Sequence, residues 1–185
     1  IHQDAKKEHI IDIVINSKVQ RPGVCNALET LLINSEIYQD MGSLIIEELL
    51  ENKVELFVDE KIKEDFPNLN LANESHYETE FLDLKLAVKV VDSVDQAIEH
   101  IKVYSSGHTE AILTESKEVA DTFAKSIDSS VIFINSSTRF TDGEMFGFGS
   151  EIGISTQKLH VRGPMGLEAL TNERYVVTGE GTVRG

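Results

Sequence analysis

The sequence predicts an α/β fold, a mostly parallel open sheet with helices on both faces. Short apolar runs of strand length alternate along the chain with segments whose apolar residues recur at helical spacing. With 185 residues, 41% of them apolar, the chain can fill a core of ordinary size. No apolar run approaches the roughly 18 residues that span a bilayer, so a membrane protein is excluded.

The first third of the chain predicts helix, strand, helix and strand. Apolar residues recur at helical spacing between Ile10 and Ile15 and predict the first helix. We expect Asp4 to cap its start, and we expect the helix to end before the turn at Pro22 and Gly23. The elements expected next are a buried strand at residues 28–33, a helix from Asn34 or Ser35, and a strand at residues 54–58.

The middle of the chain resumes this alternation after a polar segment. Residues 59–80 are expected to form an exposed excursion with about one helical turn. Beyond it, Ser93 and Gln96 have the spacing of a capping box. The elements expected here are strands at residues 86–91, 111–114 and 131–134, a helix from Val94 to Ile101, and a helix with Val119, Phe123 and Ile127 on one face.

The last 50 residues have a different texture. Residues 136–166 are rich in glycine and lack apolar periodicity, which predicts a long ordered loop. Residues 174–178 predict a final strand with no evident partner in this chain, so we expect it to add to the sheet of another chain.

Charge and cysteine usage exclude several classes of function. The net charge is −15, from 32 acidic and 17 basic residues, and residues 29–80 hold 14 of the acids and 3 of the bases. Such a field repels a phosphate backbone, so we expect no nucleic-acid partner. One cysteine and six scattered histidines give neither a disulfide nor a zinc spacing. The start at Ile1 lacks a secretory signal, and we expect a cytoplasmic protein or a piece of one.

Cys25 is the candidate nucleophile, and a buried, inert thiol is the equally weighted alternative. Pro22 and Gly23 shape a tight turn beside it, Arg21 favours the thiolate electrostatically, and Asn26 offers an amide donor. Its position at a strand end of an α/β sheet is one where ligands of such folds bind.

No histidine has a spacing that names it as the base of a cysteine hydrolase. His100 is expected to be a solvated or capping residue. His108 follows a glycine at the start of a strand and is a better candidate for ligand contact.

The glycines of residues 146–153 do not form a dinucleotide-binding motif. Their pattern is G-x-G-x-x-x-G rather than G-x-G-x-x-G, and they follow a loop instead of a strand. We expect these glycines to permit close backbone packing.

Four segments resemble the γ-glutamyl phosphate reductase family, also called glutamate-5-semialdehyde dehydrogenases, of the aldehyde dehydrogenase superfamily. They are QRPGVCNALETLL at residues 20–32, HTEAILT at 108–114, NSSTRFTDG at 135–143 and GISTQKLHVRGPMGLE at 153–168. The resemblance covers nearly the whole chain and matches the C-terminal part of that family. It implies an aldehyde dehydrogenase catalytic domain at residues 1–139 and, at residues 140–185, a segment returning to the cofactor domain followed by a β arm for homo-oligomerisation. The N-terminal cofactor domain would be absent.

The resemblance also implies a reaction, the NADPH-dependent reduction of L-glutamate 5-phosphate to glutamate 5-semialdehyde with release of phosphate. Cys25 would form a thioester, and its backbone N–H would donate to the oxyanion. By resemblance, Glu80 matches the glutamate that holds the nicotinamide ribose, with an ordinary solvated acid as the equally weighted alternative. Asn26 adjoins the oxyanion site, and the expected substrate-binding residues are Arg21, His108, Thr138 and Arg139, with a structural salt bridge as the alternative role for Arg139. Association with glutamate 5-kinase is left open.

The sequence is compatible with two rival functions. One is an ordinary aldehyde dehydrogenase that oxidises a free aldehyde, which needs a general-base glutamate upstream of the nucleophile. The other is a non-catalytic assembly module in which Cys25 is buried. Accessibility of the Cys25 thiol distinguishes this second alternative from an enzyme.

Overall fold

The computed structural model describes residues 1–149, 152–155 and 157–185. Its larger sheet is parallel and has the strand order β1-β4-β2-β3. In this sheet Leu31 lies opposite Val88, and Phe57 lies opposite Ala87. The strands are β1 (Thr30–Asn34), β2 (Glu55–Val58), β3 (Asn70–Leu71) and β4 (Lys85–Val91).

Six α-helices accompany these strands among the described residues. They are α1 (Lys7–Val19), α2 (Ser35–Glu51), α3 (Glu60–Asp65), α4 (Glu74–Glu78), α5 (Val94–Tyr104) and α6 (Lys117–Ser126). None of the helices in the described part of the chain has the length and apolarity needed to cross a bilayer.

Two smaller sheets follow in the chain. β5 (Thr109–Ile112) and β6 (Val131–Ile134) form a parallel pair, and β7 (Ile152–Ile154) and β8 (Gly163–Met165) form an antiparallel pair. The predicted mostly parallel α/β fold is therefore confirmed, although its parallel strands are divided between two sheets rather than joined in one.

The hydrophobic core is divided in the same way. The larger cluster packs α1 and α2 against the first sheet around Ile10, Ile33 and Leu56, which are buried to within 1%. A smaller cluster packs α5 and α6 around Ile98 and Phe123. The burial of these apolar side chains holds each helix against its sheet. Each fully buried side chain stabilises the folded state by roughly 1.5–3 kcal/mol.

The N-caps of the helices agree with those predicted from the sequence, except at Gln96 and Asp4. Asn34 caps α2, accepting from Glu36 N at 2.9 Å. Ser93 caps α5, accepting from Gln96 N at 3.2 Å, but the Gln96 side chain accepts from Asp92 N instead of closing the box on Ser93. The prediction that Asp4 caps the first helix is wrong. Its carboxylate instead accepts from the Thr114 hydroxyl at 2.7 Å, because the amino-terminal segment lies against the end of β5.

The polar excursion at residues 59–80 has more structure than predicted. It contains α3, β3 and α4, because Asp59 accepts from Ile62 N and Asn73 closes a capping box with His76. Ile62 is fully buried, so this short helix is anchored by one apolar residue that shows no periodicity. Local caps and a single anchor are weak signals in a sequence window dominated by charge.

The glycine-rich segment also departs from the loop that was predicted. It contains β7, β8 and a 3₁₀ turn at Thr138–Phe140. Gly147 and Gly149 have open space around them, so the expectation that they permit close backbone packing is wrong. Their φ angles of 81° and 73° are left-handed, and this conformation is the reason why glycine stands at both positions. In that run, residues 150 and 151 lie outside the described residues. Residues 174–178 are exposed and form no strand here.

Candidate active site

Cys25 lies in the turn between α1 and β1, before the first residue of the strand. The turn is held by two backbone bonds, from Ala27 N to Val24 O at 3.0 Å and from Leu28 N to Ser17 O at 2.9 Å. Cys25 is exposed and lines a cavity of about 390 Å³. The accessibility expected of a nucleophile is confirmed, and a thiol sealed in the core is excluded.

The candidate site lies at the amino ends of the parallel strands. Cys25 precedes β1, Glu80 precedes β4 and His108 precedes β5. In open α/β sheets ligands usually bind at the carboxyl ends of the strands, whereas Cys25 lies at an amino end, so that rule does not support a ligand site at Cys25. Three different loops nevertheless converge here, because parallel strands bring all their preceding loops to one edge.

Four of the seven predicted site residues line the same cavity, and three do not. Cys25, Glu80, His108 and Thr138 contribute to its wall. Arg21 is exposed on the nucleophile turn, whereas Asn26 and Arg139 are engaged elsewhere in the protein.

Asn26 and Arg139 form a network beneath the nucleophile turn. Asn26 is buried, and its side-chain nitrogen donates to Thr141 O at 2.6 Å. Its side-chain oxygen accepts from Arg139 Nη1, and Arg139 Nε donates to Gln20 Oε1 at 2.7 Å. The guanidinium thus joins both ends of the loop that carries Cys25, and its partners are amides rather than the carboxylate of a salt bridge.

Thr138 and Ser17 connect this loop to the segment after β6. The Ser17 hydroxyl donates to Ser137 Oγ at 3.0 Å and accepts from Thr138 N at 3.4 Å. Thr138 Oγ1 is buried and has no hydrogen-bond partner within the described residues. A buried hydroxyl at a cavity wall can donate to a bound oxygen.

Glu80 is exposed on the loop that precedes β4, and a buried ion pair holds the residues that follow it. Leu82 adopts φ of 51°, and its N–H donates to Glu29 Oε1 at 3.3 Å. The other oxygen of Glu29 accepts from Lys18 Nζ at 2.9 Å. Burial lowers the pKa of Lys18 and raises the pKa of Glu29, although each partner opposes that change in the other. The sequence offered no signal for this pair, because its members lie 11 residues apart, Lys18 in α1 and Glu29 in the turn before β1.

His108 is almost completely buried at the start of β5. Its Nδ1 lies 2.7 Å from Thr109 Oγ1, which in turn lies 2.9 Å from Thr141 Oγ1. The neighbouring carboxylate of Glu110 has a pKa raised by burial, while hydroxyl donors Ser105 and Ser129 favour its charged form. These side chains give the cavity wall several hydrogen-bonding groups.

His100 is not the solvated or capping residue that the sequence predicted. It is 8% exposed, and its ring lies 4.9 Å from that of Tyr77 and 4.6 Å from that of Tyr104. Burial, with a smaller effect from the Lys89 charge, lowers the pKa of His100 to about 4. The sequence contains no signal for this burial, because His100 lies about 200° around the helix from Ile98 and is covered by Tyr77, which belongs to another element.

The described residues hold no cluster of three or more His, Cys, Asp or Glu side chains suited to a metal ion. No protein-family model matches the chain. Individual proteins do match it. The chain is 52% identical over 184 residues to γ-glutamyl phosphate reductase of Thermoanaerobacter pseudethanolicus and 51% identical to that of Bacillus mycoides. All of this chain is covered in both cases, and 44% of each relative.

The structural comparison agrees. The crystal structure of γ-glutamyl phosphate reductase from Thermotoga maritima superimposes with a TM-score of 0.90 at 49% identity, covering 98% of this chain and 44% of that one. The resemblance to γ-glutamyl phosphate reductases is confirmed.

Lactaldehyde dehydrogenase from Escherichia coli matches with a TM-score of 0.58 at 16% identity, over 73% of this chain and 38% of that one. This likeness shows the aldehyde dehydrogenase fold alone. The chain spans less than half the length of the γ-glutamyl phosphate reductases that it matches.

Proposed function

We propose that this chain is the nucleophile-bearing part of an NADPH-dependent γ-glutamyl phosphate reductase, acting in proline biosynthesis in the cytoplasm. The enzyme would reduce L-glutamate 5-phosphate to L-glutamate 5-semialdehyde and release phosphate. The observation that carries the proposal is the identity of about half to reductases of this name along the whole chain. Residues 1–139 would be the catalytic domain and residues 140–185 the return segment and oligomerisation strand, with the cofactor domain outside this chain.

In the proposed mechanism, Cys25 attacks the acyl phosphate carbonyl of the substrate. The thiolate is the nucleophile, the Cys25 N–H donates to the developing oxyanion, and the carbon–oxygen bond to phosphate breaks to leave a thioester. Phosphate is a good leaving group, so this step needs no strong general acid. The exposed position of Cys25 supports the role, because a substrate can reach the sulfur from the cavity.

Glu80 fits the cofactor that the reaction requires. Its carboxylate is exposed at the same cavity as Cys25, and a carboxylate so placed can accept from the hydroxyls of a ribose. When bound, the reduced nicotinamide supplies the hydride that converts the thioester to the aldehyde.

The remaining predicted residues divide into two roles. His108 and Thr138 line the cavity and Arg21 is exposed beside Cys25, so we assign these three to the substrate. Arg139 and Asn26 hold the nucleophile turn through their mutual bond, and we assign them to positioning the Cys25 N–H.

The proposal is tested in a full-length enzyme that contains this chain. Glutamate 5-semialdehyde, phosphate and NADP⁺ are mixed with enzyme, and NADPH formation is followed. We expect C25S to reduce the rate at least a hundredfold, or about 2.7 kcal/mol of transition-state stabilisation. S43A, on the exposed face of α2, is the matched control. Oxidation of the aldehyde at an equal rate without phosphate would instead identify an ordinary aldehyde dehydrogenase.

The isolated 185-residue chain provides a second test. We expect no reductase activity and no tight NADPH binding, because the proposed cofactor domain is not part of it. Calorimetric titration with NADPH measures this, and micromolar binding would contradict the proposed division into domains.

A further inference from the structure

The candidate site is built on two loops that are far apart in the sequence. Cys25 lies in the turn between α1 and β1, whereas Glu80 lies in the loop before β4. The two loops approach each other closely, since Leu82 O lies 3.6 Å from the position that a Cβ on Gly23 would occupy. A reaction that uses Cys25 and Glu80 together therefore depends on contacts that fix one loop against the other.

The buried ion pair of Lys18 and Glu29 makes such a contact. Lys18 lies in the last turn of α1 and Glu29 directly precedes β1, so the pair closes the base of the nucleophile turn. Lys18 Nζ donates to one carboxylate oxygen of Glu29 at 2.9 Å, and Leu82 N donates to the other at 3.3 Å. Burial raises the pKa of Glu29, and the backbone N–H groups of Leu82 and Phe81 join Lys18 in opposing that rise. One carboxylate thus joins the helix before the nucleophile to the loop before β4.

The conformation of Leu82 shows that this loop is held in place. Its φ is 51°, which a leucine adopts only where neighbouring contacts hold it, and its side chain is 52% exposed. Phe81 stacks on Phe57 with the ring centroids 5.5 Å apart, which fixes the loop to β2. The bond from Leu82 N fixes it to Glu29, whose own backbone oxygen accepts from Ala87 N at 3.1 Å. The loop is therefore attached both to the sheet and to the nucleophile turn.

Stability alone does not account for a charged pair at this position. The cost of removing two charges from water offsets much of their attraction, and apolar residues of similar volume often replace a buried ion pair without loss of stability. An apolar pair would fill the space between α1 and β1, but it would offer no acceptor to Leu82 N. In the observed pair, Lys18 holds one oxygen of Glu29 and leaves the other directed to the loop.

We propose that Lys18 and Glu29 are positioning residues that hold the loop of Glu80 in a fixed place relative to Cys25. This role rests on the proposed functions of Cys25 and Glu80. The thioester carbon on Cys25 and the nicotinamide whose ribose binds Glu80 must meet in close contact for hydride transfer, and small displacements of either slow the reaction. The pair acts through the loop and not on the reacting atoms.

Amide exchange in the 185-residue chain tests the contact without substrate or cofactor. Two double variants remove both charges, of which K18M/E29Q keeps a carbonyl oxygen for Leu82 N and K18M/E29L has none. We expect the Leu82 amide to exchange about tenfold faster in K18M/E29L than in K18M/E29Q, because its hydrogen bond is lost. The Val88 amide in β4 should exchange equally in both. Equal exchange of the Leu82 amide in the two variants would overturn the proposal.

The variant E29D covers the case in which K18M/E29L does not fold. It keeps both charges, but its side chain is one methylene shorter and cannot reach Leu82 N while it binds Lys18. We expect the Leu82 amide to exchange about tenfold faster in E29D than in the wild-type chain. An unchanged rate in E29D would contradict the contact.

A full-length enzyme tests the positioning role. The substitution E80Q is introduced into the wild type, K18M/E29Q and K18M/E29L, and kcat/KM for NADP⁺ is measured with glutamate 5-semialdehyde and phosphate. We expect E80Q to lower this value about tenfold in the first two backgrounds and less than about twofold in K18M/E29L, where Glu80 is already misplaced. The same factor in all three backgrounds, or no effect of E80Q in the wild type, would overturn the positioning role.

Failure of the proposed function gives a different result. A wild-type enzyme that forms no NADPH in this assay would refute the reductase activity. The exchange rates of the Leu82 amide would still decide whether Glu29 holds the loop.

Discussion

Lys18 is fully buried at the end of α1, where its ammonium group binds Glu29. Removing one partner leaves an uncompensated buried charge, so we expect K18M and E29Q each to lower the free energy of unfolding by about 3 kcal/mol. The double variant K18M/E29Q should lose less than the sum of the two, because neither charge is then left alone. Urea denaturation of the four proteins measures the coupling, and additive losses would contradict it.

His100 should make stability depend on pH. Its folded pKa of about 4 lies below the unfolded value of about 6.5, so the unfolded state binds more protons between these values. Its stabilising contribution is complete above pH 6.5 and is lost as the pH falls towards 4, in total about 3 kcal/mol.

Denaturation curves at pH 7 and pH 5 check this prediction. The variant H100F, which retains an aromatic ring beside Tyr77 and Tyr104, should lose about 2 kcal/mol less over this range than the wild-type chain. The exposed control V103S, on the same helix, should keep the wild-type dependence. An unchanged dependence in H100F would assign the effect to other groups.

Among the elements, α2 has a packing constraint at Gly42. A Cβ at this position would lie 2.5 Å from ring carbons of Tyr38, one turn earlier. The ring cannot move away easily, because it is buried and its hydroxyl donates to Asp65 at 2.8 Å. The gain in helix propensity from alanine is about 1 kcal/mol, whereas overpacking costs about 1–3 kcal/mol.

We therefore expect G42A to lower the free energy of unfolding by about 1 kcal/mol. S43A, at the exposed neighbouring position, should change it by less than about 0.5 kcal/mol. Chemical denaturation compares the two variants. A gain of stability in G42A would show that Tyr38 repacks without losing its bond to Asp65.

The elements also show how far local patterns determine structure. Each helix and strand with several apolar residues at a clear period was predicted close to its observed bounds, since burial of that face selects the element. The elements that were missed are β3, β7, β8 and one of the two short helices α3 and α4, since only about one helical turn was predicted at residues 59–80. These elements are two to six residues long. Elements of this length form only where the rest of the molecule supplies caps, anchors and partner strands.

At the scale of the whole molecule, the carboxyl-terminal segment is separate from the packed core. Residues 171–185 are exposed throughout, and Val177 is 92% exposed. Deleting residues 172–185 should change the Tm of this chain by less than about 1 °C, because the deletion removes no buried contact. A larger fall, measured by thermal unfolding, would show that the segment packs on the sheets.

The same segment should matter in a full-length reductase. Residues 174–178 remain predicted as a strand that pairs with a neighbouring subunit, and their deletion should lower the oligomeric mass measured by sedimentation. The substitution V103S, outside this segment, serves as the control. A deletion variant that keeps the full oligomeric mass would contradict the arm.

The sequence alone determined the alternation of helices and strands and the resemblance to γ-glutamyl phosphate reductases, because these depend on local periodicity and on contiguous motifs. It left open whether the Cys25 thiol is accessible or buried, and the structure shows that Cys25 is exposed. Only the tertiary structure decided that the site lies at the amino ends of the strands and that Arg139 binds Asn26. It alone placed His100 among tyrosines and divided the parallel strands between two sheets. Those features depend on contacts between residues far apart in the chain, such as the 113 residues that separate Asn26 from Arg139. No local pattern encodes them, since their energy comes from packing and hydrogen bonds that exist only once the strands are in register.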